Sequence, residues 1–313
     1  MVSKQDILNF YKYILGRDGD AGGILNYEDA ARNGMSWHKM RMEFIRSVEF
    51  GKSFGGHKAE TVKVGDVFVV VDADEIDFGA TIYRDAAWEA HIVSIIRSNL
   101  KQGDTFVDIG GNVGVMSFVA AQAVGPAGKV LAFEPHPDNV RHFLLGVAAN
   151  RFNNVKLHGF ALSDQQMVFS ILGSSNGFLA SAEEAAYQCI SVRGDDILGD
   201  EQRIDFIKID IEGHEPQALA GLSETIAKHK PNILCEFNPR CLTSHIGRPP
   251  LEFAEQLFSL SNVITVIEHS GKQNQVGRPS ELIDLWQEKN SEAVQTGHLT
   301  DGMLHFDLLL KPD

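Results

Sequence analysis

The chain has 313 residues, 43% of them apolar, enough for one full α/β core and a smaller module beside it. A formal net charge of −14, with 28 Lys and Arg residues in no dense block, disfavours a nucleic-acid or anionic-lipid partner. There is no run of about 18 apolar residues, and the opening MVSKQDILNFYKYIL is too polar for the core of a signal peptide, which predicts a cytoplasmic chain without stable membrane insertion. The cysteines Cys189, Cys235 and Cys241 lack CxxC spacing and signal neither a disulfide framework nor a structural zinc.

In chain order, residues 1–55 predict a small helical domain. Its helical segments are ILNFYKYIL, NYEDAARNG and SWHKMRMEFIRSVEF, the last placed for capping by Ser36, and GKSFGGHK follows as a linker. Asp18 and Asp20 in the turn GRDGDAGG lack a full calcium ligand series, so turn and cap roles suffice for them. The stretch resembles a small helical bacterial domain of unknown function. The resemblance rests on Leu15-Gly16-Arg17-Asp18-Gly19-Asp20-Ala21-Gly22, on the step Gly34-Met35-Ser36, and on Phe44-Ile45-Arg46-Ser47-Val48-Glu49-Phe50. An interaction module is the expectation, serving a homodimer or a protein partner.

Residues 56–100 predict an entry hairpin and a leading helix: a β-rich TVKVGDVFVVVDAD and FGATIYRD, then a helical WEAHIVSIIRSNL. Residues 101–313 carry strands at TFVDIG, VLAFEP, VKLHGFAL, IDFIKIDI, NILCEF, VITVIE and MLHFDLLL, most of them separated by helical segments such as HPDNVRHFLLGVAANR. Runs that apolar suit a mostly parallel seven-stranded sheet covered on both faces, with the last strand able to enter antiparallel.

In such a sheet the ligand lies outside the carboxyl ends of the strands. The first core strand ends in Asp108-Ile109-Gly110-Gly111-Asn112-Val113-Gly114, where glycines permit a tight turn and are expected to bring backbone N–H groups to a ligand. A dinucleotide fingerprint needs glycines at i, i+2 and i+5, but from Gly110 those places hold Asn112 and Val115, so the spacing favours S-adenosylmethionine over NAD. The next strand ends in Glu134 and Pro135, an acid placed to accept ribose hydroxyls, while His136 reads as structural. Ala161 and Leu162 follow at a third strand end, where adenine would be read. Lys208, Asp210, Glu212, His214 and Glu215 crowd the fourth, and Glu236 and Asn238 the fifth, an acidic concentration costly as mere scaffold.

DIGGNVG, AFEPHPDN, ALSD and above all KIDIEGHE followed by CEFN resemble the FkbM family of S-adenosylmethionine-dependent methyltransferases over roughly residues 80 to 240. The resemblance implies a class I methyltransferase (Rossmann-like) fold and methylation of a hydroxyl on a sugar, glycolipid or natural product. It also implies that Asp108, Gly110, Asn112 and Gly114 hold the methionine portion, Glu134 with Pro135 the ribose, and Ala161 with Leu162 the adenine. Asp210, Glu212 and His214 would face the acceptor, with Asp210 also near the cofactor. Gly111 departs from the family's more frequent alanine, and nothing carries over after Pro239.

Deprotonating the acceptor calls for a base, and His214 and Asp210 are the candidates. The rival scheme places a divalent ion between Asp210, Glu236 and Asn238. Two further alternatives are a non-catalytic S-adenosylmethionine-binding module and a nicotinamide dehydrogenase, the latter weakened by the glycine spacing. The acceptor pocket would be shaped by residues 165–195, by CLTSHIGRPP and by the segment Ser270 to Asp301, where Trp286, Phe178, His245 and Arg248 are candidates to stack on or anchor a sugar.

Overall fold

The structure, a computed structural model, describes residues 2–15, 17–36, 39–40, 43–44, 47–49, 59–75, 78–173, 176–180 and 187–311. Gly16, the linker GKSFGGHK and much of the expected third N-terminal helix lie outside the described residues. At the N-terminus, helix Lys4–Ile14 starts on a reciprocal cap: Asp6 N–H donates to Ser3 Oγ at 3.2 Å and Ser3 N–H to the Asp6 carboxylate at 2.7 Å. Asp20 caps the next helix, Ala21–Arg32, by accepting Gly23 N–H at 2.8 Å. Phe44 packs on Tyr11 and Tyr27 with ring centroids 4.8 and 4.6 Å away.

Strands β1 (Ala59–Val64) and β2 (Val67–Asp72) form the expected antiparallel hairpin. FGATIYRD, expected as strand, is instead the helix Gly79–Asp85. Its β-favouring residues are overridden by Glu75, whose carboxylate accepts the N–H groups of Phe78 and Gly79 at 2.8 and 2.6 Å and so starts a helix there. The leading helix follows at Ala90–Asn99.

The core strands are β3 (Thr105–Ile109), β4 (Lys129–Phe133) and β5 (Val155–His158), separated by helices Val115–Val124 and Pro137–Asn150. Then come β6 (Ala161–Ser163), β7 (Val168–Leu172), β8 (Phe178–Ala180), β9 (Tyr187–Arg193), β10 (Phe206–Ile209) and β11 (Asn232–Phe237). Last are β12 (Ile264–Ile267), β13 (Gln273–Val276) and β14 (Phe306–Leu310). The large sheet has the order β13-β12-β14-β11-β10-β3-β4-β5, parallel from β11 to β5, with β14 antiparallel between β11 and β12. This is the class I methyltransferase architecture, enlarged by one strand. That eighth strand, β13, is the polar QNQV, and a polar edge strand gives no apolar run to read.

A second difference lies in VKLHGFAL, which is not one strand. It breaks at Gly159-Phe160, leaving β5 in the main sheet and sending β6 into a small sheet of order β6-β9-β7-β8. Alternation along the buried strands supplies both faces of the main sheet. Phe106, Val130 and Ala132 point into one apolar cluster with Phe118 and Phe143, whereas Val107, Leu131 and Phe133 point into the other with Ile207 and Phe253. Each fully buried Val, Leu, Ile or Phe among them stabilises the fold by roughly 1.5–3 kcal/mol, and two covered faces leave only the strand ends for a ligand. Among the described residues no helix is long and apolar enough to cross a membrane.

Candidate active site

A cavity of ≈ 540 Å³ opens at the carboxyl ends of β3, β4, β10 and β11 and is roofed by the small sheet. One end is built around the β3 loop. Gly110 turns there at φ +85°, and a Cβ on it would overlap the Asp210 carbonyl oxygen, so the loop lies flush against the end of β10. The loop N–H groups do not reach outward as expected. Those of Gly110 and Gly111 donate to Phe133 O at 3.0 Å, Asn112 N–H to Glu134 Oε2 at 2.8 Å, Val113 N–H to Asn112 Oδ1 at 2.8 Å and Gly114 N–H to Gly111 O at 2.8 Å. What the loop offers the cavity is its glycine surface and the Asn112 side chain.

Glu134 lines the cavity with both carboxylate oxygens anchored, Oε2 by Asn112 N–H and Oε1 by His136 N–H at 2.8 Å. Burial pushes its pKa up to about 7, against the pull of these donors. The Asn139 side chain donates to the same carboxylate, and the acceptor capacity left over suits a ligand hydroxyl. Pro135, Ala161 and Leu162 line the same end, joined by Ile171 and Leu179 of the small sheet. Asp108 and Gly114 do not line the cavity. Asp108 is fully buried, accepting Ser117 Oγ–H at 2.6 Å with the Lys208 ammonium 3.8 Å away, so it anchors the loop from below.

At the other end five carboxylates gather: Glu89, Asp210, Glu212, Glu236 and Asp307. Lys208 is the ammonium among them, 2.9 Å from Asp210. Burial works against its charge, but Asp210 and Asp108 outweigh that and hold its pKa above the ordinary value. Glu212 and Glu89 both sit in left-handed backbone, φ +55° and +37°, a strain retained where their side chains meet the cavity. Burial first and the Asp210 charge second push each to about 7. Glu236 is raised well above the usual carboxylate range by burial and by Asp210, Glu212, Glu215 and Asp307; its Oε2 is buried without a hydrogen-bond partner among the described residues.

His214 does not join them. Its Nε2 lies 2.9 Å from Ser163 Oγ, its ring stands edge-on to Phe169 at 5.3 Å, and burial lowers its pKa to about 4. The imidazole therefore braces the small sheet rather than facing the cavity. Glu215 serves the same turn by accepting the N–H groups of Ile211 and Gly213 at 2.9 and 3.2 Å. The divalent-ion scheme loses a ligand as well, because Asn238 Oδ1 accepts Cys241 N–H at 3.2 Å and caps helix Pro239–Ile246, turning only its amide nitrogen toward Glu236. Among the described residues no three His, Cys, Asp or Glu side chains are placed to hold a metal ion.

Four residues of this end, Glu89, His91, His305 and Asp307, and a fifth, His269, were not singled out from the sequence. His91 Nε2 is 3.4 Å from Asp307 Oδ2, which raises the imidazole pKa. His269 stands edge-on to His305 at 4.4 Å. The available signal was a charge inside an apolar strand, the Asp307 of FDLLL, and two ionisable groups, Glu89 and His91, at the start of the leading helix. Conversely, Phe178, His245, Trp286 and Arg248 do not line the cavity: Phe178 stacks on His245 at 3.7 Å, Trp286 Nε1–H donates to Leu304 O at 2.8 Å, and Arg248 pairs with Glu252 at 3.9 Å. The segment 270–301 and the loop after β11 contribute no lining residue.

Residues 108–280 match the methyltransferase FkbM domain, more than half of the chain. The chain belongs to the FkbM methyltransferase family. A hexuronic acid methyltransferase, AglP of Haloferax volcanii, is 22% identical over 147 residues, a match spanning 46% of this chain and 60% of that relative. Solved structures with related outlines include an FkbM methyltransferase from Methylobacillus flagellatus KT (TM-score 0.36, 16% identity, 77% of this chain and 65% of that one). Another is the O-methyltransferase TomG from Streptomyces achromogenes (TM-score 0.39, 16% identity, 71% and 78%).

S-adenosylmethionine is the cofactor of this FkbM domain, and the cavity fits it. Glu134 presents anchored carboxylate oxygens, His136, a lining residue, has a buried Nδ1 with no partner among the described residues, and Ala161 with Leu162 supplies an apolar wall. When bound, the cofactor supplies a methyl group on a cationic sulfur.

Proposed function

We propose that the chain methylates a hydroxyl of a sugar, glycolipid or related natural product. The observation that carries this reading is one continuous cavity joining the Glu134 end, suited to a nucleoside, to an end lined with carboxylates and histidines suited to a polyol. The hexuronic acid methyltransferase among its relatives is in keeping with a sugar acceptor.

In this reading Glu134 holds the ribose hydroxyls, Ala161 and Leu162 the adenine, and Gly110 and Asn112 the methionine portion. Asp108 and Gly114 keep the loop in shape. Asp210, fixed by the Lys208 ammonium at 2.9 Å, anchors the acceptor. Glu212 takes the acceptor's proton, because a base whose pKa sits at about 7 is both ionised and basic at neutral pH. Positioning supplies the remainder of the rate.

The test is transfer of labelled methyl to a panel of hydroxylated sugars and glycolipids. Wild-type protein labels a hydroxylated acceptor, and Glu212→Gln lowers the rate about 10²-fold while leaving S-adenosylhomocysteine affinity unchanged. Label appearing only on amines or on protein would overturn the assignment of hydroxyl acceptors, and an undiminished Glu212→Gln rate would remove Glu212 from the role.

A further inference from the structure

Across the β11–β14 ladder Glu236 stands directly opposite Asp307, two acids at one cross-strand position. Like charges so placed destabilise a sheet. Here they are joined on the cavity wall by Glu89 from the leading helix. Glu236 is 94% buried and lines the cavity, and its Oε2 meets no donor among the described residues. The Lys208 ammonium is already taken by Asp210, and the imidazole of His91 by Asp307. Among the described residues no Lys or Arg but Lys208 lines the cavity, and His305 approaches Glu236 at Oε1, 3.8 Å away, leaving Oε2 without a charged donor. A carboxylate-bearing ligand would add a further acid to the cluster.

We propose that this end of the cavity recognises an acceptor carrying a protonated amine beside its hydroxyls, an amino sugar or amino polyol, and discriminates against uronates. The proposal rests on the methyltransferase reading and narrows its substrate class. An ammonium seated between Glu236, Asp307 and Glu89 gives Oε2 its missing donor and offsets the mutual repulsion of the acids. It does so by drawing the protonated members into their ionised forms. Glu236 on β11 is faced by Asp307 and His305 on β14, by Asp210 and Glu212 after β10, by Glu215 at the next helix start, and by the Asn238 amide. Each carboxyl that ionises on binding releases one proton to solvent, while the ammonium keeps its own. Binding is therefore coupled to proton release at neutral pH.

The experiment is calorimetric titration of the S-adenosylhomocysteine-loaded full chain with glucosamine and galactosamine, glucose and galactose, and glucuronate and galacturonate. It is run at pH 7 in phosphate and in Tris, whose ionisation enthalpies differ. A hexosamine is expected to bind about tenfold or more tighter than its parent hexose, the effect of a hydrogen bond made to a charged group, with a buffer-dependent heat that reports proton release. The uronates are expected to give no measurable heat. Glu236→Gln should retain S-adenosylhomocysteine binding and bring hexosamine and hexose within about threefold of each other. A uronate binding as tightly as a hexosamine, a hexose equalling it, or no heat from any sugar on loaded protein would each overturn the proposal. Failure of S-adenosylhomocysteine itself to bind would instead bring down the methyltransferase reading beneath it.

Discussion

At the β3–β4 end of the cavity the buried acid is met by backbone: Glu134 takes the N–H groups of Asn112 and His136 at 2.8 Å, and loop and strand lock each other in place. At the β11–β14 end the acids come from side chains on separate elements, and Glu236 Oε2 meets no donor among the described residues while facing Asp307 across the ladder. The first end is organised before any ligand arrives. The second holds repulsion that a ligand of the right charge relieves, which makes it the end where specificity resides.

The largest expected effect breaks the first end. Gly110→Ala places a Cβ on the Asp210 carbonyl oxygen in left-handed backbone and should cost about 3 kcal/mol or more of stability, read from the denaturant midpoint. Next, Glu134→Gln should weaken S-adenosylhomocysteine roughly 10- to 100-fold in a binding titration, since hydrogen bonds to a charged acceptor are lost. Equal affinity in that variant would show that Glu134 serves only the loop.

A smaller effect sharpens the second end through pH. Glu89 and Glu212 have folded pKa values of about 7 and Glu236 is raised well above the ordinary value of 4.5, so the native state holds these protons more tightly than the unfolded chain. The stability they contribute is complete below about pH 4.5 and is lost as pH rises through 7. His214 runs the other way: its lowered pKa costs stability only as pH falls from 6.5 toward about 4. Between pH 6.5 and 8 these acids act together with Glu134, also at about 7, and with His91, whose raised pKa has the same sign, so the melting temperature of ligand-free protein should fall, and Glu236→Gln should flatten the slope. A flat wild-type profile would mean that the repulsion is not there.

The smallest expected effect concerns His214. Bonded to Ser163 and packed on Phe169, it should cost about 1–3 kcal/mol of stability as Ala, yet change methyl transfer by less than about threefold. A loss near 10²-fold would return His214 to the role of base.

The two ends also differed in what the chain order disclosed. The sheet, the β3 loop and Glu134 were legible because each is a local pattern: an apolar run, then glycines, then an acid at a strand end. The acidic end was half legible. Asp210, Glu212 and Glu236 end strands, but Glu89, His91, His269, His305 and Asp307 reach them only through the pairing of β12 and β14 in the sheet and the placement of the leading helix, which no local spacing encodes. His214 misled for a related reason. It sits in the most distinctive motif of the chain, KIDIEGHE, but the left-handed residues Glu212 and Gly213 turn the backbone so that the imidazole points into the small sheet. The polar edge strand β13 and the helix started by Glu75 were missed because period and propensity carry no signal for either.

The division of the cavity into a cofactor end and an acceptor end is tested most directly by titrating S-adenosylhomocysteine into wild-type, Glu134→Gln and Glu236→Gln proteins side by side. The predicted result is tight binding to wild type and to Glu236→Gln, with a roughly 10- to 100-fold loss confined to Glu134→Gln. Equal losses in both variants, or a loss only in Glu236→Gln, would contradict that division.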